Sequence, residues 1–378
     1  MQADQPVNAG LRKAWSELRQ TINDAEELIL RACNGADDLD QAEGYRFATR
    51  ILRSALEIFA ENSPDSGVHF IPLIAPTRKG LGDNPDVLYE IAPLSAQHAY
   101  RIRGRRGDAV YLSFCFYAAV APGEMPRWVF ANLTDDDLSF DAQGRYEFAV
   151  SGDRESKPKA LLPSEPALVI VRRYFRDRNS ADTGEVSIEY MGPRPRHAPL
   201  SGEELAVRLR AAARFLRSIL EGPERLVQTF SANTNALFAP PPQASVSYPA
   251  EAPHEGIKFY YPTPDAAYPC GWFRLAPNEA LVIRVRPPRG RYWSLHLMNR
   301  WFESLDDRVV RRTVNHANAV LEPDGSCRVV VSENDPGVPN WLWTAGHRDG
   351  FVLFRWLMAQ GAPTPICEVL PVDRIALS

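Results

Sequence analysis

Apolar residues recur every three or four positions near the start of the chain, at Leu11, Trp15, Leu18, Ile22, Ala25 and Ile29. That spacing lines one face of an α-helix and predicts a first helix, with Asn34-Gly35 as its stop. A second helix is predicted over about 41–61, with Tyr45, Ala48, Leu52, Ala55 and Phe59 as its stripe. Both stripes are expected to pack on a core. From about 87 to 192 the pattern changes to short runs, several alternating with period two: Ala99–Arg103, Val110–Phe116, Tyr146–Val150 and Leu168–Tyr174. Punctuated by Gly, Pro and Asp, they predict β-strands. A third helix opens at Ser201, which forms a capping box with Glu204. Leu205, Leu209, Ala212, Leu216 and Ile219 form its stripe, and Gly222-Pro223 ends it. The Pro-rich stretch Ala239–Gln243 leads into a second β-rich region, from about 257 to the end.

The two β-rich regions repeat one another. Arg103 and Gly107 correspond to Arg286 and Gly290 at a shift of 183. Ser113, Gly144 and Ser151 correspond to Ser294, Gly325 and Ser332 at a shift of 181, and Arg173 to Arg355 at 182. A nearly constant shift over about 85 residues argues for two copies of one β domain with the same strand order. Gly144 and Gly325 are expected in turns between strands. The predicted fold class is mainly β with helices (α+β). It comprises an N-terminal helical segment (1–65), a first β-sandwich or jelly-roll-like domain (66–198), a helix and linker (199–256) and a second such domain (257–378).

Composition narrows the function. Hydrophobic residues are 45% and charged residues 24%, which suits a globular chain. The net charge of -4 argues against nucleic acid as a partner, and the basic stripe Arg101, Arg103, Arg105, Arg106 is offset by nearby acids. No apolar run is long enough for a membrane span, and the opening MQADQPVNAGLRKAW has no apolar signal core, so a cytoplasmic protein is expected. Cys33, Cys115, Cys270, Cys327 and Cys367 are odd in number and widely spaced, which predicts free thiols. GxSxG, P-loop, GxGxxG, HExxH and EF-hand patterns are absent, so no cofactor is expected.

The segment Gly82-Asp-Asn-Pro-Asp-Val-Leu-Tyr89, followed by Tyr100-Arg-Ile-Arg-Gly104, resembles the first half of bacterial proteins carrying the domain of unknown function numbered 1214. Tyr292-Trp-Ser-Leu-His-Leu297, Pro339-Asn-Trp-Leu342, Ala345-Gly-His-Arg348 and Phe354-Arg-Trp356 resemble that domain itself. The resemblance covers most of the chain from about 40 to 360. It implies two linked β-sandwich or jelly-roll-like domains, a homo-oligomer and a place near genes for breakdown of steroids, aromatics or lipids. It implies no catalytic residues.

Candidate chemistry comes from the differences between the copies. Residues present in both are taken as scaffold, and polar residues present in one as candidates for function. The apolar strand Phe114–Val120 corresponds to His296-Leu-Met-Asn-Arg-Trp301, and the second copy also carries Asn340, Trp341, Trp343, His347 and Arg348. Aromatic walls with a few polar groups suit a ligand pocket. In this reading His296 or His347 moves a proton, and Arg348 and Asn299 hold an oxyanion or carboxylate. Trp293, Trp301, Trp341 and Trp343 line the pocket, with Asn340 beside them. Either histidine is equally readable as a buried structural group. His316 is a third candidate, and the spacing of the three histidines contains no metal-ligand pair. Asp83-Asn84-Pro85-Asp86 reads as a turn, or as a loop that carries Asp83, Asn84 and Tyr89 into a site between the domains. The expected function is cofactor-independent acid–base chemistry (lyase, isomerase or hydrolase type) on an apolar aromatic or polycyclic small molecule. The alternatives are an oligomeric ligand-binding or accessory protein, and a carbohydrate-binding β-sandwich.

Overall fold

The structure is a computed structural model describing residues 8–65, 67–191, 199–238, 260–305 and 313–377. The Pro-rich stretch 239–243 lies outside them. Helix α1 (Ala9–Ala32) is capped by Asn8, and α2 (Asp38–Ala55) by Asp37. Helix α2 continues into a π-helical turn, Leu56–Glu61. Helix α3 (Gly202–Leu220) is capped by Ser201, which accepts from Glu204 N at 3.0 Å. Gly222-Pro223 opens a further helix, α4 (Gly222–Ser231), instead of ending the helical region. Proline is tolerated at a first turn because its missing N–H has no intrahelical partner there.

The buried helix faces differ from the predicted stripes. Helix α1 buries Ala14, Leu18, Thr21, Ala25, Leu28, Ile29 and Ala32, whereas Trp15 is 59% exposed and Ile22 40%. Small residues decide this: Ala14 and Leu18 pack against Ala206, Leu209 and Ala213 of α3, so the two backbones approach closely. Helix α2 turns Gly44, Phe47 and Ile51 inward and leaves Tyr45 46% exposed. A Cβ at Gly44 would collide with the Trp301 ring.

The first β unit contains β1 (Ile71–Ile74), β2 (Val87–Leu94), β3 (Ala99–Arg105), β4 (Tyr111–Ala118), β5 (Trp128–Thr134), β6 (Arg145–Ser151), β7 (Ala160–Leu161), β8 (Ala167–Tyr174) and β9 (Glu185–Tyr190). The second contains β10 (Ala236–Phe238), β11 (Ala266–Ala267), β12 (Cys270–Arg274), β13 (Glu279–Val285), β14 (Tyr292–Met298), β15 (Thr313–Asn315), β16 (Cys327–Ser332), β17 (Trp341–Trp343), β18 (Asp349–Leu357) and β19 (Ile366–Pro371). The first unit has sheets β1-β2-β8-β4-β5 and β7-β6-β3-β9, and the second has β10-β12-β18-β14-β15 and β17-β16-β13-β19, with β11 alongside β18. The strand orders are the same, so the chain holds two copies of one β-sandwich. Gly144 and Gly325 have φ of 73° and 83°, the turn conformation that favours glycine. All five cysteines are free. Among the described residues, no helix is long and apolar enough to cross a membrane.

Strand pairing corrects two of the correspondences read from sequence. Ala99 pairs with Ser151 and Ala280 with Ser332, so Arg105, not Arg103, corresponds to Arg286. Ser113 pairs with Arg172 and Ser294 with Arg355, so Arg172, not Arg173, corresponds to Arg355. Pairing also reveals a repeat that the sequence reading missed. Val87 pairs with Tyr174 and Ala266 with Leu357, which aligns Pro85-Asp86-Val-Leu-Tyr89 with Pro264-Asp265-Ala-Ala-Tyr268 at a shift of 179.

Each sandwich has its own core, around Phe114 and Val169 in the first and Leu295 and Phe354 in the second. A third core lies between them, joining Ile170, Tyr174, Tyr292 and Phe351 to Phe47 and Phe215 of the helices. Two reciprocal clasps cross this core. Asp86 of the first unit accepts from the Tyr292 hydroxyl at 2.7 Å and Asn315 Nδ2 at 2.9 Å in the second. Asp265 of the second unit accepts from the Tyr111 hydroxyl and from Asn132 Nδ2 at 2.9 Å in the first. Asp86→Ala removes the acceptor of two buried donors, and each buried donor left unsatisfied costs about 1–3 kcal/mol. Urea unfolding should therefore show a loss of at least about 2 kcal/mol, and a loss below about 0.5 kcal/mol would mean that the clasp does not hold the units together.

Candidate functional site

Strand β14 places the sequence-named residues on two faces, because alternate side chains point in opposite directions. Trp293 faces the second sandwich's own core, where it packs against Trp356. His296 lies on the other face, fully buried, with the Asp83 backbone near its ring and no close hydrogen-bond partner for either nitrogen among the described residues. Burial, reinforced by the Arg355 charge, pushes its pKa well below the usual value, so the ring is neutral.

His347 and Asn299 meet elsewhere, on a carboxylate of α2. His347 Nε2 lies 2.9 Å from Glu43 Oε2, and the Thr344 carbonyl accepts from its Nδ1 at 2.9 Å. Asn299 Nδ2 donates to Glu43 Oε2 at 2.8 Å and to Glu303 Oε2 at 3.0 Å. Burial opposes the charge on Glu43, but the bonds from His347 and Asn299 outweigh it and hold its pKa below the usual value. Burial likewise disfavours the imidazolium, and Glu43 outweighs it, so the His347 pKa is raised. Burial pushes Glu303 up to about 7, against the pull of Arg50 at 2.7 Å. Asp40, Glu43 and His347 offer ligand atoms within 4.8 Å of one another, a spacing a metal ion could use. The acids already have cationic partners, however: Arg300 lies 3.4 Å from Asp40 and Arg46 2.7 Å from Glu43. The cluster is therefore a charge-balanced fastening between α2 and the second unit.

The remaining candidates are dispersed. The Arg348 side chain is exposed and has no hydrogen-bond or ion-pair partner among the described residues, while its neighbour Asp349 pairs with Arg300 at 3.0 Å and Arg274 at 3.3 Å. Trp301 packs on Phe47, and its indole N–H donates to the Asp40 carbonyl at 2.8 Å. The Trp341 N–H donates to Ser332 Oγ at 3.0 Å, and Trp343 is half-buried in the same short strand. Asn340 spends its amide on the Val320 and Arg328 carbonyls, and His316 packs edge-on against Tyr292. The four tryptophans do not converge, because β14 and β17 belong to different sheets.

The loop before β2 does reach between the units. Asp83 accepts from Ser304 N at 2.9 Å and Ser304 Oγ at 2.6 Å. Asn84 Nδ2 donates to the Tyr292 hydroxyl at 3.1 Å and Ser294 Oγ at 3.0 Å. The Tyr89 hydroxyl accepts from Asn84 N at 3.1 Å and Arg355 Nη1 at 3.0 Å.

Two cavities adjoin these elements. The larger, about 320 Å³, lies between the π-helical turn, α3 and the first unit, with Ile58, Phe59, Tyr117, Leu168 and Val207 among its walls. The smaller, about 40 Å³, lies between the two units and is lined by Arg172, Arg355, Tyr89 and Tyr261. Of the candidate site residues named from sequence, only Tyr89 lines either cavity. Neither arginine was named as a candidate, because residues common to the two copies were taken as scaffold. The repeated Pro-Asp-x-x-Tyr segment was the signal that could have exposed them.

Residues 274–360 match the family described as protein of unknown function (DUF1214), which bears out the resemblance read from sequence over that part of the chain. The crystal structure of an uncharacterised protein from Burkholderia cenocepacia is similar to this chain at 29% identity and a TM-score of 0.86, covering 96% of this chain and 98% of that one. The VPA0106 protein from Vibrio parahaemolyticus is 13% identical, with a TM-score of 0.49, covering 92% of this chain and 100% of that one. No curated protein matches.

The Glu43–His347 pair should leave a pH signature. Because the folded His347 pKa lies above its ordinary 6.5, the stability it adds is complete below pH 6.5 and is lost as pH rises through the folded value. Because the Glu43 pKa lies below its ordinary 4.5, its share is present above pH 4.5 and is lost as pH falls through the folded value. His347→Gln should cost at least about 2 kcal/mol in urea unfolding at pH 6, and clearly less at pH 9. A cost independent of pH would remove the charge from this pairing.

Proposed function

We propose that the chain is a small-molecule-binding protein whose ligand is largely apolar and ring-containing, held in the cavity of about 320 Å³. The observation that carries this reading is the cavity's size and wall. Its volume falls in the range of about 300–1,000 Å³ typical of ligand sites. Ile58, Phe59, Leu94, Leu168 and Val207 supply apolar surface, and Asn62, Asp65, Glu204 and Arg208 a few polar groups. Ile58 and Phe59 sit on the π-helical turn, a conformation often found at functional sites. Arg208 ties α3 to that turn by donating to the Ala60 carbonyl at 3.1 Å, which supports a preformed wall. The acid–base roles assigned to His296 and His347 draw no support from this geometry, since one is enclosed and the other is spent on Glu43.

A catalytic reading of the same cavity rests on a different pair. Asp65, among the lining residues, lies 2.8 Å from His98 Nε2, a hydrogen-bonded carboxylate–imidazole couple of the kind that moves protons. In that reading His98→Gln retains ligand binding and abolishes conversion of the ligand, scored by mass spectrometry of the recovered molecule. Unchanged conversion would refute it.

Binding is testable with naphthalene and decahydronaphthalene as probes, read by saturation-transfer NMR on the full chain. Saturable binding is expected. Val207 is half-exposed on α3, so Val207→Trp can fill the cavity without entering a core, and it should weaken binding at least about tenfold, equivalent to 1.4 kcal/mol. Absence of saturable binding, or an affinity untouched by Val207→Trp, would overturn the reading.

A further inference from the structure

The cavity of about 40 Å³ lies where corresponding residues of the two repeats face each other. Arg172 and Arg355 occupy the same register position in β8 and β18. Arg172 Nη2 donates to the Tyr261 carbonyl at 2.7 Å, and Arg355 Nη2 to the Gly82 carbonyl at 3.0 Å. Gly82 and Tyr261 correspond at the same shift of 179 as Tyr89 and Tyr268, and all four residues line the cavity with the two arginines. Arg355 lies 5.2 Å from the Tyr268 ring centroid and Arg172 5.8 Å from that of Tyr89.

The charge here is uncompensated. Among the described residues five arginines are buried, and three of them meet a carboxylate: Arg78 with Glu57, Arg173 with Glu90 and Arg300 with Asp349. Arg172 and Arg355, each only 5% exposed, have no carboxylate in ion-pair reach among the described residues. Their polar partners are the Tyr117 and Tyr89 hydroxyls, at 3.0 Å each, and backbone carbonyls. Burial pushes both phenols' pKa values up, so they are neutral and offset no charge. Arg172 Nη1, Arg355 Nε and the Tyr261 hydroxyl are buried donors without a partner among the described residues. Removing two cations from water is costly unless an anion meets them.

The backbone around the cavity is also strained. Leu81, Tyr261 and Phe302 line it with φ of 62°, 47° and 58°, and they are three of the eight non-glycine residues with positive φ among those described. Such conformations are disfavoured for bulky side chains and cluster at ligand sites.

We propose that this cavity binds a compact carboxylate, held between Arg172 and Arg355 with the Tyr261 hydroxyl as a further donor. A carboxylate is planar and matches guanidinium forks. Tyr260, Tyr268 and Phe302 also line the cavity, whose volume of about 40 Å³ admits only a compact anion. The proposal does not depend on a ligand in the larger cavity.

The test uses the full chain at constant ionic strength, titrated with acetate, oxalate, benzoate and inorganic phosphate by calorimetry and thermal shift. Saturable binding of at least one carboxylate, at least tenfold tighter than phosphate, is expected. The preferred carboxylate separates a small free acid from the head group of a larger aromatic one. Arg172→Gln and Arg355→Gln should each abolish the binding. Tyr261→Phe removes one hydroxyl and keeps the ring, so it remains informative if the arginine variants do not fold; it should weaken binding about tenfold. No carboxylate binding, phosphate binding of equal strength, or an affinity unchanged in folded arginine variants or in Tyr261→Phe would each overturn the proposal.

Discussion

Burial of both faces of the inner sheets governs this molecule. Every residue of β4 and β14, and nearly every residue of β18, is removed from solvent. One face of each inner sheet packs against its own sandwich, and the other packs against the core shared with the second copy and the helices. Neither copy can therefore keep this surface dry alone. The helices complete the closure: Phe47 of α2 and Phe215 of α3 enter the shared core, and small residues let α1 lie close against α3.

That closure sets strict terms for polar side chains on the shared face, since a buried polar group must find a partner. Asp86 and Asp265 meet the terms by exchanging acceptors across the junction, each serving a tyrosine and an asparagine of the opposite copy. Glu43 and His347 meet them as a charged pair joined by Arg46, and the neighbouring acids Glu303 and Asp40 are answered by Arg50 and Arg300. Arg172 and Arg355 stand apart because no carboxylate among the described residues answers them. Within one buried interface, the contrast between answered and unanswered charge separates structural fastening from a candidate site.

A duplicated chain also changes how its residues should be weighed. Reading polar residues unique to one copy as functional directed attention mainly to the second copy, with Asp83, Asn84 and Tyr89 as the first-copy candidates. A site between two related units is built from corresponding residues of both, so its chemistry appears twice in the sequence and resembles scaffold. Tyr89 with Tyr268, and Arg172 with Arg355, are such pairs. Asn340 and Trp301, unique to one copy, make structural contacts: the first holds backbone carbonyls, and the second packs against Gly44.

Local periodicity and turn chemistry were legible without coordinates. The Ser201 cap, the glycine turns at Gly144 and Gly325, the strands around Ser113 and Arg172 and the repetition of the β unit all follow from patterns a few residues long, because hydrogen bonds within a helix turn or a hairpin join near neighbours. Which face of a helix turns inward was not legible: Trp15 and Tyr45 are apolar enough to join a stripe, yet the close approach of neighbouring helices favoured alanine and glycine at the contacts. The junction was hidden for a related reason. His347 meets an acid 304 positions away, and Arg355 a tyrosine 266 positions away. No local spacing encodes such partners. They are selected when two sheets, each buried on both faces, close on one another and bring distant polar groups into the same dry space.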